Sequence, residues 1–569
     1  VDVDQFYGLE ISEWPSLIAE VAMWLLDHQM NLLVSETFGE RLVRLPLKKS
    51  PRIRCDNALR LDWKLFLPPT ECSYVLGNPP FVGKTYQTGL QKADMELICG
   101  DVPAFGLLDF VTAWYFKAAE YIQGTRIRCA FVSTNSITQG EQVGLLWNHL
   151  FQHYGIKIHF AHRTFSWMSE ARGKAQVHVV IIGFGAYDQS PKRIYDYETD
   201  ADKVSVSEAR NISPYLVEGN DSAVVSRSSA ICAVPDMVNG NKQVDGGFLT
   251  LDAAEKDELV RKYPELVPFV RPFLGSEEFI NGGQRWCLWL VDAPPDLLGP
   301  NEELRRRLEG VRDFRLKSKK PKTRESAKTP MLFGEIRPIT TNFLAIPEVS
   351  SERRNYIPIG FFSPSVVPSN KLQVVPEATL WHFGVLTSAM HMAWMRQVTG
   401  RLESRYSYSA KIVYNNFPWP VNVSAKDRAS VEVAAQAVLN ARKQFPDSTL
   451  ATLYNPLNTP PVLTKAHTAL DRAVDRCYRK EPFPSDRARV EHLFALYEQL
   501  TAPLIPAAAK PRSRRRKEAD PGSAPDRNRL LTSAATTAPA PNSLQAEMDA
   551  AHFYSVKEEP SPYRTGQDT

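Results

Sequence analysis

An α/β fold built on a mainly parallel sheet is predicted by three features of this sequence. The apolar run Tyr74-Val75-Leu76 stops abruptly at Asn78-Pro79-Pro80-Phe81. Upstream, residues 6–33 read as a short strand followed by an amphipathic helix. Downstream, residues 107–184 alternate helical periodicity with short apolar runs, the pattern of strands joined by helices. Sheets of this kind bind ligands just beyond the carboxyl ends of their strands. Those ends are therefore where functional side chains are expected.

Taken in order, Phe6 to Ile11 predicts the first strand, with Glu10 near its end. Ser12 or Glu13 opens a helix, with Pro15 in its first turn, a position that tolerates proline. Leu17, Ile18, Val21, Trp24 and Leu25 recur at helical spacing and predict one apolar face. Residues 57–63, NALRLDW, predict a further short strand ending in Asp62-Trp63. Tyr74-Val75-Leu76 predicts a buried parallel strand. The two prolines after it stop sheet pairing and stiffen the backbone. Leu107 to Ile122 predicts a helix with Phe110, Trp114 and Ala118 on one face. A buried strand over Ile127 to Ser133 and a helix over Val143 to Tyr154 follow. Lys157 to His162 and Val177 to Phe184 predict two more strands, with Thr164-Phe165-Ser166-Trp167 in a loop between them.

The Asn78 side-chain oxygen and the Pro79 carbonyl can both accept hydrogen bonds, and together they can hold an exocyclic amino group. Fixing its two hydrogens aims the nitrogen lone pair at an electrophile. Pro80 stiffens the turn, and Phe81 offers a flat surface for a planar ring. A Pro-rich turn after a strand looks the same in isolation, since Asn is a common turn former. The upstream acids favour the chemical reading. An acid at the end of a neighbouring strand, here Glu10, can bind ribose hydroxyls. Asp62 can accept from an adenine amino group, and Trp63 can pack on the ring. Taken singly, both acids read as ordinary surface residues.

At this point the chain resembles a known family. The segments YGLEISEWPSLIAEVAMWLLDHQMN, NALRLDW, YVLGNPPFVG, FVSTNSITQGEQV, HRTFSWMSEARGKAQVHVVIIGF, LFGEIRP, VSSERRNYIPIGF and GRLESRYSYSAKIVYNNFPWP are similar to those of MmeI-like (type IIL) restriction–modification enzymes, over about Phe6 to Pro503. The resemblance implies an S-adenosylmethionine (SAM)-dependent, Rossmann-like methyltransferase domain, an α+β target-recognition domain and a helical C-terminal domain. It implies N6-adenine methylation of double-stranded DNA, without a metal for methyl transfer. Asn78, Pro79, Pro80 and Phe81 are then the catalytic turn. Glu10, Ile11, Asp62 and Trp63 hold the cofactor. Phe165, with Trp167 as second choice, contacts the extruded base. The family's fold also begins with a strand and a Gly-rich turn ahead of the GLEI strand. Only five residues precede Phe6, and no such turn precedes Gly8. The sequence is accordingly read as a fragment, or as an open reading frame broken upstream, and an upstream SAM-motif segment and nuclease, in the same or another chain, are its candidate partners. No convincing Asp…Glu-x-Lys nuclease site is found in it.

Composition bounds the remaining choices. At 569 residues and 43% hydrophobic content the chain suits several cored domains. No apolar run approaches the roughly 20 residues of a membrane span. Seven scattered cysteines suit reduced thiols and a cytoplasmic setting, and their spacing gives no metal site. His149 and His153 lie four apart on a predicted helix but lack a third ligand. Residues 1–220 are read as the incomplete methyltransferase domain, with 186–240 a polar connection. Residues 241–420 are the recognition domain, 421–503 the helical domain and 506–569 a disordered tail carrying KPRSRRRK. Net charge is only +4, yet residues 304–328 form a basic stripe. It includes Arg305, Arg307, Arg315, Lys319, Lys320 and Lys322. Such a stripe can neutralise DNA phosphates, with Arg305, Lys319, Lys320 and Lys322 the expected contacts. A solvated charged face is the plainer alternative. Three rival functions share these motifs: a protein glutamine methyltransferase, an RNA adenine methyltransferase, and an inactive DNA-binding remnant.

Overall fold

The computed structural model describes residues 2–39, 49–167, 177–197, 204–294, 297 and 301–502. The expected tail lies outside them. The chain opens with β1 (Tyr7–Glu10), α1 (Glu13–Phe38) and β2 (Arg52–Cys55). β1 and β2 pair in parallel, from Tyr7 opposite Arg52 to Glu10 opposite Cys55. Next come α2 (Trp63–Phe66), β3 (Tyr74–Gly77), α3 (Gly89–Cys99) and α4 (Thr112–Tyr121). They are followed by β4 (Arg128–Thr134), α5 (Glu141–Tyr154), β5 (Lys157–Trp167) and β6 (Val177–Gly185). β7 (Lys192–Tyr197) and β8 (Val204–Ala209) complete a six-stranded sheet in the order β3-β4-β6-β5-β7-β8.

The strand–helix alternation is as expected, but four local expectations are corrected. Residues 57–61 are a turn, not a strand. Asn57 bonds the Leu59 amide, and Asp62 caps α2 by accepting from the Lys64 N–H at 2.9 Å. Asx side chains compete with strand pairing in this way. The strand that pairs with β1 lies earlier, at Arg52–Cys55. Second, β3 is parallel to β4 as expected but is an edge strand, with Tyr74 63% and Leu76 74% exposed. Third, Leu17, Ile18, Val21 and Leu25 of α1 are exposed, so the predicted apolar face has no layer upon it among the described residues. Fourth, Thr164 to Trp167 continue β5 instead of forming a loop.

The two-stranded β1–β2 sheet is not hydrogen-bonded to the six-stranded one. Segment 57–67 links them through side chains instead. Arg60 and Asn57 bind the buried Asp94 of α3. The α4 residues Lys117 and Tyr121 donate to the carbonyls of Leu59 and Leu67.

The recognition region does not form one separate core. A four-stranded sheet of Thr250–Leu251, Trp286–Leu288, Val270–Leu274 and Val367–Pro368 packs around Leu249, Leu266, Phe273, Leu304 and Val311. Another, of Gly360–Phe362, Phe343–Pro347, Leu372–Pro376 and Val238–Asn239, has a smaller cluster at Phe343 and Val374. Residues 380–419, by contrast, share one continuous core with the catalytic sheet and the C-terminal helices. Phe131, Phe184 and Trp147 belong to it, as do Phe383, Trp394 and Phe417, and Leu470 and Leu493. The helices Ala425–Lys443, Pro461–Tyr478 and Asp486–Thr501 follow the expected periodicity. All seven cysteines are free, and no described helix is long and apolar enough to cross a membrane.

Two buried histidines and the half-buried Asp471 make this shared core sensitive to pH. His391 bonds Tyr408 and His467 bonds Tyr454, each at 2.9 Å. Burial pushes both histidines down to about 3. Asp471 accepts from the Tyr356 hydroxyl and the Ala389 amide, yet burial pushes it up to about 6. Between pH 6 and pH 4 the unfolded chain carries a proton on each histidine that the fold lacks. The fold takes up one on Asp471 that the unfolded chain still lacks. The net is one extra proton on the unfolded chain, so these groups lower stability by about 1.4 kcal/mol per pH unit. Urea unfolding at pH 7 and pH 5 should show a lower midpoint at pH 5, and His467→Gln should lessen the difference.

Candidate active site

The Asn78-Pro79-Pro80-Phe81 turn leaves the carboxyl end of β3. Gly77 lets the turn start close against β4, since a Cβ there would lie 3.2 Å from the Phe131 ring. Pro79 is buried, Phe81 is half-buried and Asn78 is exposed. The Asn78 side chain has no hydrogen-bond partner among the described residues. Its amide is thus available to a ligand.

A residue not anticipated from the sequence holds this turn in place. Asp109 is buried, and one carboxylate oxygen accepts from the Lys84 N–H at 2.9 Å. The other accepts from the Ser136 hydroxyl, at 2.6 Å, just past the end of β4. The Asp109 N–H donates to Gln142 Oε1 at 2.9 Å, and the next amide, Phe110, donates to the Val82 carbonyl at 2.9 Å. The loop after Phe81 is thereby tied to the loop after β4. In the sequence Asp109 falls in the first turn of the helix predicted over Leu107 to Ile122, where an acid resembles an ordinary helix start.

The expected cofactor residues sit on the smaller sheet side. Glu10 ends β1, and its Oε1 accepts from the Ile11 N–H at 2.9 Å and the Ser12 N–H at 3.4 Å. Its Oε2 has no partner among the described residues. Asp62 uses Oδ1 as a helix cap, and its Oδ2 has no hydrogen-bond partner among the described residues. Ile11 is exposed. Trp63 turns inward, donating to the Ala58 carbonyl at 2.8 Å and meeting the Tyr121 ring edge-on. That orientation makes it a support for the turn that carries Asp62. Phe165 lies on β5, with β4 and β6 between it and β3. Its ring stacks on Tyr197 at 4.6 Å, and Trp167 ends the same strand, partly exposed. Among the described residues no group of three or more His, Cys, Asp or Glu side chains could hold a metal ion. His149 and His153 lie close, 4.9 Å between rings.

Known proteins resemble this arrangement. Residues 1–196 match the profile of the MmeI DNA-methyltransferase domain, 218–421 that of the MmeI target recognition domain, and 423–505 that of the MmeI C-terminal domain. The solved structure of the type IIL restriction–modification enzyme MmeI in complex with DNA is 48% identical, with a TM-score of 0.80. The match covers 88% of this chain and 67% of that one. The chain belongs to the MmeI-like (type IIL) restriction–modification family. DNA methyltransferase A of Bacillus subtilis (strain 168) is 40% identical over 504 residues, which is 88% of this chain. The chain spans 56% of that relative's length.

Within the part that matches the MmeI target recognition domain, the basic stripe divides into two kinds of residue. Arg305, Lys319, Lys320 and Lys322 are exposed and carry no ion pair among the described residues. Arg307 is buried, bound to Glu303 and the Phe248 carbonyl. Arg315 is 0% exposed and donates to the carbonyls of Gln243, Val244, Ser326, Thr329 and Leu332. These two arginines of the stripe are therefore internal, while the four expected phosphate contacts stay exposed, and Arg315 fastens the start of LFGEIRP to the preceding helix. Arg315→Met should leave five carbonyls without their donor and cost about 3 kcal/mol or more. Chemical denaturation checks this, and an unchanged midpoint would return Arg315 to the surface set.

Proposed function

We propose that this chain carries the catalytic and recognition parts of a site-specific DNA adenine N6-methyltransferase that uses SAM, within a restriction–modification system. The observation that supports this best is the free Asn78 amide on a rigid turn, fixed by Asp109 at the carboxyl end of β3. Adenine N6 lies inside the base pair, so the base must leave the duplex to reach the turn. Asn78 Oδ1 and the Pro79 carbonyl accept the two amino hydrogens and orient the nitrogen. Phe81 stacks on the extruded ring, and Phe165 is the second aromatic assigned to it. Positioning of this kind accounts for most of the rate, without a dedicated base.

The residues present fit the nucleoside end of SAM. Glu10 Oε2 and Asp62 Oδ2 are free acceptors suited to ribose hydroxyls and the adenine amino group. SAM, when bound, supplies an electrophilic methyl group. For the methionine end we propose a further strand and Gly-rich turn, in the same or another polypeptide. Support comes from β1 and β3, each with an edge that has no strand partner among the described residues, and from the exposed apolar side of α1. Unpaired edges beside exposed apolar surface favour strand addition.

Labelled-methyl transfer to duplex DNA and duplex RNA tests this reading. Residues 1–569 alone should transfer little. A polypeptide extended by the strand and turn should methylate DNA and not RNA. Asn78→Ala in that polypeptide should abolish transfer while gel-shift affinity stays similar. Full transfer by Asn78→Ala would remove the catalytic assignment, and transfer to RNA alone would favour the RNA enzyme.

The recognition region distinguishes this reading from a glutamine methyltransferase, which has no use for a basic, aromatic surface of this size. Replacing Lys319, Lys320 and Lys322 by Ala should weaken binding across all DNA sequences. It should also flatten the salt dependence by about one slope unit per lost contact. An unchanged slope would return the stripe to a solvated face.

A further inference from the structure

The catalytic and recognition parts approach backbone to backbone at Gly140. Gly140, in the left-handed region at φ 63°, donates its N–H to the Val398 carbonyl at 3.2 Å. A Cβ on Gly140 would lie 3.1 Å from the Gly400 Cα, so the approach is open only to glycine. Beside it, Gln397 donates to the Tyr215 carbonyl at 3.1 Å. A cavity of about 210 Å³ opens at this seam. Thr138 and Gln139 line it from the loop after β4, and Arg163 and Thr164 from β5. Arg396 and Arg401 line it from the recognition side.

Three guanidinium groups face one carboxylate there, Asp196. Each guanidinium is anchored on one side. Arg163 Nη1 bonds Asp196 at 2.8 and 3.1 Å. Arg396 bonds Asp486 at 3.0 Å and the Asn355 carbonyl at 2.9 Å. Arg401 bonds the Ser404 carbonyl at 3.0 Å and lies over the Tyr406 ring. Nε and Nη2 of Arg163 and of Arg401 keep no partner among the described residues. The acids Glu218, Asp486 and Glu491 line an adjoining cavity that shares Arg163 and Arg396. Arg401, Thr138 and Gln139 belong only to the net-positive cavity.

We propose that this seam cavity binds a backbone phosphate of duplex DNA, with Arg163 and Arg401 as its principal donors. Guanidinium groups already fixed in place suit a tetrahedral oxyanion, because little side-chain freedom remains to be lost. The cavity is smaller than a typical pocket for a whole nucleotide-sized ligand, which favours one phosphodiester. Its position links it to the transfer site. The segment that Asp109 ties to the Asn78 turn at Ser136 runs on into Thr138 and Gln139, and Thr164 adjoins Phe165. A phosphate held here would fix the DNA strand against both parts at once. The inference rests on the DNA-binding reading above.

Its test uses the whole 569-residue chain and a fluorescent random-sequence DNA duplex, titrated at several salt concentrations. Arg401→Gln removes a donor. Gln139→Glu adds a carboxylate and disturbs no side-chain hydrogen bond seen in the structure. Each should weaken binding on the order of tenfold and lower the salt slope by about one unit, with unchanged thermal melting. Should Arg401→Gln fail to fold, Gln139→Glu decides. Wild-type affinity and slope in the folded variants would overturn the cavity assignment. If the Lys319, Lys320 and Lys322 replacements still weaken binding in that case, the DNA reading stands alone. Failure of the parent chain to bind the duplex would overturn both.

Discussion

Asn78 is held by one strand edge and one carboxylate. Among the described residues β3 pairs only with β4, and the turn beyond it is fastened by Asp109 to Lys84 and Ser136. A turn whose prolines remove backbone donors cannot be fixed by sheet pairing, so the side-chain clamp takes over that task. The clamp also couples the turn to the loop after β4, which runs through Gln139 and Gly140 to the recognition part. The site's rigidity and its link to the rest of the molecule thus share one buried group.

The same arrangement explains why the family's long motifs are where they are. GRLESRYSYSAKIVYNNFPWP reads like a binding segment, yet much of it is internal support. Asn416 is fully buried and bonds the carbonyls of Val225, Lys411 and Ile412 as well as the Arg227 guanidinium. Phe417 and Trp419 lie in the continuous core. Buried amides that satisfy several backbone groups at once tolerate little substitution. The recognition part is accordingly divided. One portion is built into the catalytic core, while the sheets around Phe273 and Phe343 carry clusters of their own.

The open side of the molecule is as informative as the packed side. The edges of β1 and β3 and the outer face of α1 present backbone donors, acceptors and apolar side chains together. Segment 57–67 keeps the β1–β2 pair in place through Asp94, Lys117 and Tyr121. Side-chain contacts can thus hold two sheets together without a hydrogen-bonded strand pair between them.

The sequence by itself determined the α/β class, the strand before Asn78, the helix from Glu13 and the C-terminal helices. These depend on local periodicity and on proline and capping chemistry, which act within a few residues. It misread 57–63 because an Asx turn and a strand share apolar spacing, and only the pairing of β1 with Arg52–Cys55 decides between them. It misread 164–167 because β5 continues beyond the apolar run, paired alongside β7 as far as His162 and stacked at Phe165 on Tyr197. Tertiary structure alone revealed Asp109 as the clamp, Arg315 as a buried fastener and the seam at Gly140 and Gly400. Each depends on partners from 11 to 260 residues away, and charge or residue type in the sequence does not say which carbonyl, amide or backbone a side chain will meet.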